Sequence, residues 1–301
     1  MIRKIDYTIS DSESALTINE YLRQHFYPSK MLTHFRHSEG SILVNNVPVF
    51  MNTILNAGDL LTIIYEEDDA SLNIVPVELP FEIVYEDEDI LVVNKPADMP
   101  VHPAINNFDN TLANGIACYF ENKGKHFMFR CINRLDRNTS GLLIVAKHRL
   151  AAAILSGFMK KREIHREYLA ITSGIFVDKE GTIDLPIGRL SDSIITRFVD
   201  FENGASAITH YKVIKEYYAS EGYTHNNGSD ASLLLITLDT GRTHQIRVHM
   251  SHIGHPLLGD SLYNESPGDL SRQALHSYSI KFKHPITLHD MEFKCDFDFV
   301  D

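Results

Sequence analysis

Cysteine is scarce in this chain. Three stand in 301 residues (Cys118, Cys131 and Cys295), and none belongs to a CxxC pair. That disfavours a structural zinc site built on thiolates and implies reduced, mostly buried thiols. Long apolar runs are missing too; nothing approaches the roughly 20 residues that a membrane helix needs. Met1 to Asp6 lack the apolar core of a signal peptide, so a cytoplasmic protein away from membranes is expected. There is no GxGxxG and no P-loop lysine motif, which disfavours dinucleotide and nucleotide-phosphate cofactors. No GxSxG elbow, internal repeat or low-complexity segment occurs.

What is present fits an ordinary globular protein: 44% hydrophobic and 23% charged residues. The length suits one main domain plus a small one. The net charge of −12 argues at first against a nucleic-acid partner. Its distribution says otherwise. Residues 66–90 hold ten acids and no Lys or Arg, and without them 28 basic residues face 30 acidic ones. Within 123–168 there are eleven Lys/Arg and only three acids, Asp136, Glu163 and Glu167. A polyanion is a plausible partner for this region, although a solvated helix face also accounts for part of it.

Residues 1–65 read as a small domain. Ala15 to Leu22 has helical spacing, a second helix is expected over Ser29 to His37, and Gly40 stops it. Ile42-Leu43-Val44, Asn45-Asn46 and Val47-Pro48-Val49 form a hairpin pattern, and Leu60 to Tyr65 another strand. The segment 66–80, with four consecutive acids, Pro76 and Pro80, reads as an acidic linker. Residues 81–301 form the main domain. Strands outnumber helices there and few full crossover helices join them. The fold expected is α+β, a mainly antiparallel mixed sheet beside a small N-terminal α/β domain.

Cys131 to Gly141 is a charged turn opening into Leu142-Leu143-Ile144-Val145-Ala146. Asp136 lies between Arg134 and Arg137, and nearby cations favour its ionised form. Two readings stand side by side: a nucleophile whose arginines grip an anionic substrate, or a solvated ion pair on a surface turn. A glycosidase would want two converging carboxylates, and this region offers a lone Asp. Downstream, Thr243 is expected to cap a helix with Ile246, Met250 and Ile253 as its apolar stripe, ended by Gly254 and Pro256. Arg247 and Ser251 share a polar flank of it. His249 and His252 stand at i, i+3 with no interleaved acid, so no metal is expected.

Asn133 to Gly141 resembles the HRLDxxTSG signature of the RluA family of pseudouridine synthases. Gly241 to His249, with Gly254-His255-Pro256 and Gly259-Asp260, resembles that family's second signature. Lys95-Pro96 with Met99 to Pro103 is similar to its lysine-proline motif, and Ala274-Leu275-His276 to its closing one. The likeness runs in matching order over roughly 82–300. The run Gly40 to Asn46 and Gly58-Asp59 also resemble a small RNA-binding domain of ribosomal-protein type.

The resemblance implies isomerisation of uridine to pseudouridine in structured RNA without a cofactor. Large-subunit ribosomal RNA is the first expectation and transfer RNA the second. A catalytically silent RNA-binding or ribosome-assembly protein is the rival from another class. By the resemblance, Asp136 matches the catalytic aspartate and Tyr168 the tyrosine that stacks on the target base. Arg247 matches the basic partner of the aspartate, and Arg134 the arginine that enters the RNA where the base leaves. The further RNA-binding residues expected are Arg137, Lys95, His102, Arg242, Thr243 and His244, with Lys30 and Arg36 in the N-terminal domain. A monomer is expected. Asn133 departs from a usual His, and Asp98 from a usual Gly.

Overall fold

In the computed structural model, described over residues 2–67, 74–105, 107–190, 193 and 195–297, apolar alternation becomes strand nearly everywhere. The chain begins with β1 (Ile2–Thr8), followed by α1 (Ile18–Gln24) and α2 (Ser29–His37). Then come β2 (Ile42–Val44), β3 (Val47–Pro48) and β4 (Leu60–Glu66). The four strands form one sheet in the order β1-β4-β2-β3. Thr17 starts α1 with a reciprocal cap: its hydroxyl accepts from the Glu20 amide, and the Glu20 carboxylate accepts from the Thr17 amide at 2.8 Å. Asn45 and Asn46 both take left-handed φ values, 50° and 65°, as a tight β2–β3 hairpin demands. Strand β1 was not expected. Only Ile5 in it is buried, so its sequence carries almost no core signal.

The main domain begins with β5 (Glu82–Glu86), β6 (Ile90–Lys95), α3 (Leu112–Asn122), β7 (Ser140–Ala146), α4 (Arg149–Lys160) and β8 (His165–Ser173). It continues with β9 (Glu180–Asp184), β10 (Ile187–Arg189), β11 (Arg197–Val199), β12 (Ile208–Tyr217) and β13 (Ala231–Leu238). The last elements are α5 (Gln245–His252), β14 (Leu275–Lys283) and β15 (Asp290–Lys294). One nine-stranded sheet runs β5-β6-β7-β14-β8-β13-β12-β9, with β15 on β14. Its pairings are antiparallel except β14 with β7. This is the mixed, mainly antiparallel α+β sheet the sequence implied.

The apolar run of β7 has a simple cause: all seven of its residues are buried. Leu142, Ile144 and Ala146 face one core with α4, while Leu143 and Val145 face the other with α3 and α5. A strand covered on both faces reads as continuous hydrophobe. At its start Gly141 has φ +110°, and a β-carbon there would lie 2.3 Å from the Ser277 carbonyl. Only glycine permits this approach to β14.

The two domains are stitched together. Residues 68–73 of the acidic linker lie outside the described residues, but its flanks are anchored. Glu67 is buried, pairs with Arg130 and accepts from the Arg149 amide at 2.9 Å. Val75 O accepts from the Asn114 side chain at 2.7 Å. Apolar packing is continuous from Leu22 and Phe26 to Ile154 and Phe158.

Beside this seam lies a buried charge cluster on the β5–β6 turn. Asp89 accepts from Arg3 at 2.8 and 3.0 Å and pairs with His148 at 2.8 Å. Asp87 pairs with His284 at 2.9 Å and accepts two backbone amides. Burial pushes both carboxyls up, yet the hydrogen bonds from His284 and the backbone to Asp87, and from His148 and Arg3 to Asp89, leave both below the usual carboxylate range.

Candidate active site

The turn before β7 is shaped by short-range bonds. Ile132 N donates to Ile144 O at 2.8 Å. The buried Asn133 accepts from the Ile144 amide at 2.9 Å and donates to Leu142 O at 3.3 Å. Asparagine at this position therefore ties the turn to β7. Thr139 N closes the turn on Asp136 O at 3.1 Å. Asp136 stands at the tip, its side chain one-quarter exposed.

Neither flanking arginine pairs with it, so the reading of a solvated ion pair within this turn does not hold. Arg137 is exposed and donates to Asp98 at 2.7 Å. Asp98 takes φ 56°, a left-handed conformation that aspartate tolerates better than most residues. The partner of Asp136 comes from α5: Arg247 Nη1 donates to Asp136 Oδ2 at 3.2 Å. The rest of that guanidinium is taken by Asp260, which accepts from Nε at 2.7 Å and from Nη2 at 2.8 Å. Asp260 is fully buried, and its Oδ1 also accepts the Leu262 and Tyr263 amides at 3.1 and 3.3 Å. Burial pushes Arg247 down, but Asp260 and then Asp136 raise it further, so it stays a cation.

The turn into α5 corrects one expectation. Thr243 does not cap the helix; His244 does, at φ 58° and without a side-chain cap. The turn is held by Gln245. Its buried side chain accepts from Arg242 N at 2.9 Å and Thr240 Oγ1 at 2.8 Å, and donates to Ile208 O at 2.9 Å. His244 is thereby presented to Asp136: Nε2 lies 3.9 Å from Oδ2, while Nδ1 bonds the Tyr263 hydroxyl at 2.8 Å. The Tyr263 ring lies 5.0 Å from the Arg247 guanidinium. One loop, 259–263, thus braces both neighbours of Asp136. Burial lowers the His244 pKa from its ordinary value; Asp136 opposes that shift and Arg247 adds to it.

Tyr168, on β8, is buried and lines a cleft of about 500 Å³. Asp136, Arg134, His102, Arg242 and Thr243 also line it. Five of the expected residues therefore converge with the aspartate, although Asp136 and Tyr168 are far apart in the chain. Burial raises the Tyr168 pKa, so the phenol stays neutral.

Lys95 does not reach the cleft surface, which corrects its reading as an RNA contact. It is fully buried and donates to the carbonyls of Pro96, Met99 and Arg137 at 2.7, 2.8 and 3.0 Å. It welds the loop after β6 to the loop that carries Asp136. Burial lowers its pKa to about 7. Lys30 and Arg36 are exposed on α2. His249 and His255 are satisfied internally, through Thr209 and Leu185 O and through Ser173 O. Asp260 and Tyr263 were not singled out from the sequence; the Gly259-Asp260 pair was their only signal.

Residues 89–252 match the RNA pseudouridylate synthase model, and residues 5–61 match the N-terminal domain of RluD ribosomal pseudouridine synthase. The chain is 38% identical over 278 residues to Bacillus subtilis YjbO, named an uncharacterized RNA pseudouridine synthase, covering 92% of this chain and 94% of that one. It is 34% identical over 312 residues to Vibrio cholerae ribosomal large subunit pseudouridine synthase D, covering 96% and 90%. Among solved structures, human RNA pseudouridylate synthase domain containing 1 superposes with a TM-score of 0.59 at 31% identity, over 72% of this chain and 84% of that one. The chain belongs to the RNA pseudouridylate synthase family and is an enzyme of that class. Within it, the chain is an RluD-like member of the RluA group, N-terminal domain included.

Proposed function

We propose that this enzyme converts particular uridines of large-subunit ribosomal RNA to pseudouridine, with Asp136 as the group that acts on the target nucleoside. The observation that carries this reading is the ionic chain Asp260–Arg247–Asp136 at the cleft. It fixes Oδ2 of Asp136 and leaves Oδ1 without a partner among the described residues. The names of the Vibrio cholerae and Pasteurella multocida relatives, ribosomal large subunit pseudouridine synthase D, support the choice of RNA.

In the reaction the N1–C1′ bond breaks, a C5–C1′ bond forms, and the proton lost from C5 is balanced by one gained at N1. A base inside a helix is out of reach, so the uridine must leave the stack at a cost of a few kcal/mol. Arg134, exposed at the cleft mouth, fills the gap it leaves; a planar guanidinium stacks on neighbouring bases. Tyr168 offers its ring to the loosened uracil. Arg247 pairs with Asp136 and aims its carboxyl group. His102, Arg242, Thr243 and Arg137 hold the surrounding RNA, and Lys30 and Arg36 extend the contact onto the N-terminal domain. Residues 1–65 serve as an RNA-holding unit and 81–301 as the catalytic one. The enzyme works in the cytoplasm as a monomer.

The test is to map pseudouridine by carbodiimide-primer extension in a deletion strain complemented with wild type or Asp136→Asn. Wild type should restore specific ribosomal sites and the variant none. Restoration by Asp136→Asn would remove Asp136 from the chemistry; restoration confined to transfer RNA would overturn the ribosomal assignment.

A further inference from the structure

Arg166 is a buried cation without an anion. It is 8% exposed, its Nε has no hydrogen-bond partner, and it forms no ion pair among the described residues. Desolvating a guanidinium and leaving a donor unpaired is costly, and native proteins rarely do so without a reason. The position supplies one. Arg166 stands two residues before Tyr168 on β8, so both side chains leave the same face of the strand, and both line the cleft. Its guanidinium sits beside the Tyr168 hydroxyl. It also lies against Gly241, where a β-carbon would come within 3.4 Å of Nη1. Among the described residues the only acid lining this cleft is Asp136, and Arg247 already pairs with it. Arg134, Arg242 and Arg166 thus leave the cleft with unbalanced positive charge.

We propose that Arg166 is a phosphate-anchoring residue: its guanidinium edge beside Gly241 takes a backbone phosphodiester next to the nucleotide that enters the cleft, which sets that nucleotide against Tyr168. A planar guanidinium fork matches two phosphate oxygens, and the arriving anion neutralises the buried charge. This proposal rests on the reading of the cleft as an RNA site, but its test needs no turnover.

Fluorescence anisotropy of a fluorescein-labelled eight-nucleotide oligouridylate, titrated at several salt concentrations, reads the contact directly. Arg166→Gln should weaken binding by about tenfold, the loss of one charged hydrogen-bonded contact. It should also flatten the dependence of log K on log salt by about 0.7, one single-strand phosphate. Arg166→Lys should keep the slope. Gly241→Val, an exposed position, should reproduce the loss by blocking the guanidinium edge without touching the arginine, and it decides the matter if the Gln variant melts early. Weaker binding with an unchanged slope in both variants would mean a neutral base carbonyl rather than a phosphate and overturn the proposal. Unchanged binding in both, or no salt-dependent binding by the wild type, would overturn it as well. Failure of the RNA-mapping experiment with these results intact would strike the ribosomal reading alone.

Discussion

Two buried charge clusters anchor this molecule, and they differ in whether anything is left over. At the β5–β6 turn, Asp87 and Asp89 are surrounded by Arg3, His148, His284, Tyr85 and two backbone amides. Every partner is internal; besides Tyr85 and the turn's own amides, the partners come from the N-terminal strand, the start of α4 and the turn after β14. At the cleft, Asp260 saturates two nitrogens of Arg247, and the third reaches a half-open carboxylate, Asp136. The first cluster closes on itself and joins domains. The second ends on an oxygen, Oδ1 of Asp136, with no hydrogen-bond partner among the described residues. Substitutions should therefore separate stability from turnover: the closed cluster should lose the first, the open one the second.

The largest effect falls on the open end. Asp136→Asn keeps the shape of the side chain and removes its charge. Turnover, measured as tritium release from RNA labelled at uridine C5, should fall at least a thousandfold, about 4 kcal/mol in barrier. The melting temperature should hardly move. If the variant lost stability and kept activity, the two clusters would be alike.

Asp260→Asn comes next and strikes both quantities. It strips a buried guanidinium of its counter-ion, which costs about 3–5 kcal/mol of folding stability by urea unfolding. With Arg247 no longer held, misplacement of Asp136 should lower kcat by about a hundredfold. Asp89→Asn makes the contrast. It should cost about 3 kcal/mol, while the surviving folded fraction keeps near wild-type kcat.

Acid sharpens the same comparison. The folded-state pKa values of Asp87 and Asp89 lie below those of the unfolded chain, about 3.9. Their contribution is therefore fully present above that value and disappears as pH falls through the lowered folded values. Unfolding free energy measured from pH 5 downward should drop more gently in Asp89→Asn than in wild type. An identical slope would mean that the closed cluster carries no proton linkage.

These contrasts also mark how far the sequence could be read. The turn 133–141 and the strand behind it were legible because β7 is buried on both faces and the loop is dense in functional groups. The stripe Ile246, Met250, Ile253 correctly marked the inner side of α5. Near neighbours in sequence misled. Arg134 and Arg137 adjoin Asp136 in the chain, but a tight turn splays them apart, and the real partner arrives 111 residues later because β14 and α5 converge on the start of β7. Lys95 looked like a surface cation. Its destination among three carbonyls depends on two loops meeting, which no local pattern encodes.

The smallest expected effect concerns His244, the second neighbour of the open carboxylate. Its lowered pKa keeps it neutral at pH 7.5, with Nδ1 on Tyr263 and Nε2 3.9 Å from Asp136. Protonation would turn that approach into a second ion pair on Oδ2, which draws charge from the carboxylate and weakens Asp136 toward the substrate. The acid limb of kcat/KM should then lie below 6.5, the ordinary histidine value. His244→Gln cannot gain that charge, so its profile should stay flat to a lower pH while losing little at pH 7.5. Tyr263→Phe removes the hydroxyl brace and should loosen the imidazole without removing its titration, which leaves the limb in place. If His244→Gln retains the wild-type limb, the titrating group is another one, and Arg247 with Asp260 holds Asp136 alone.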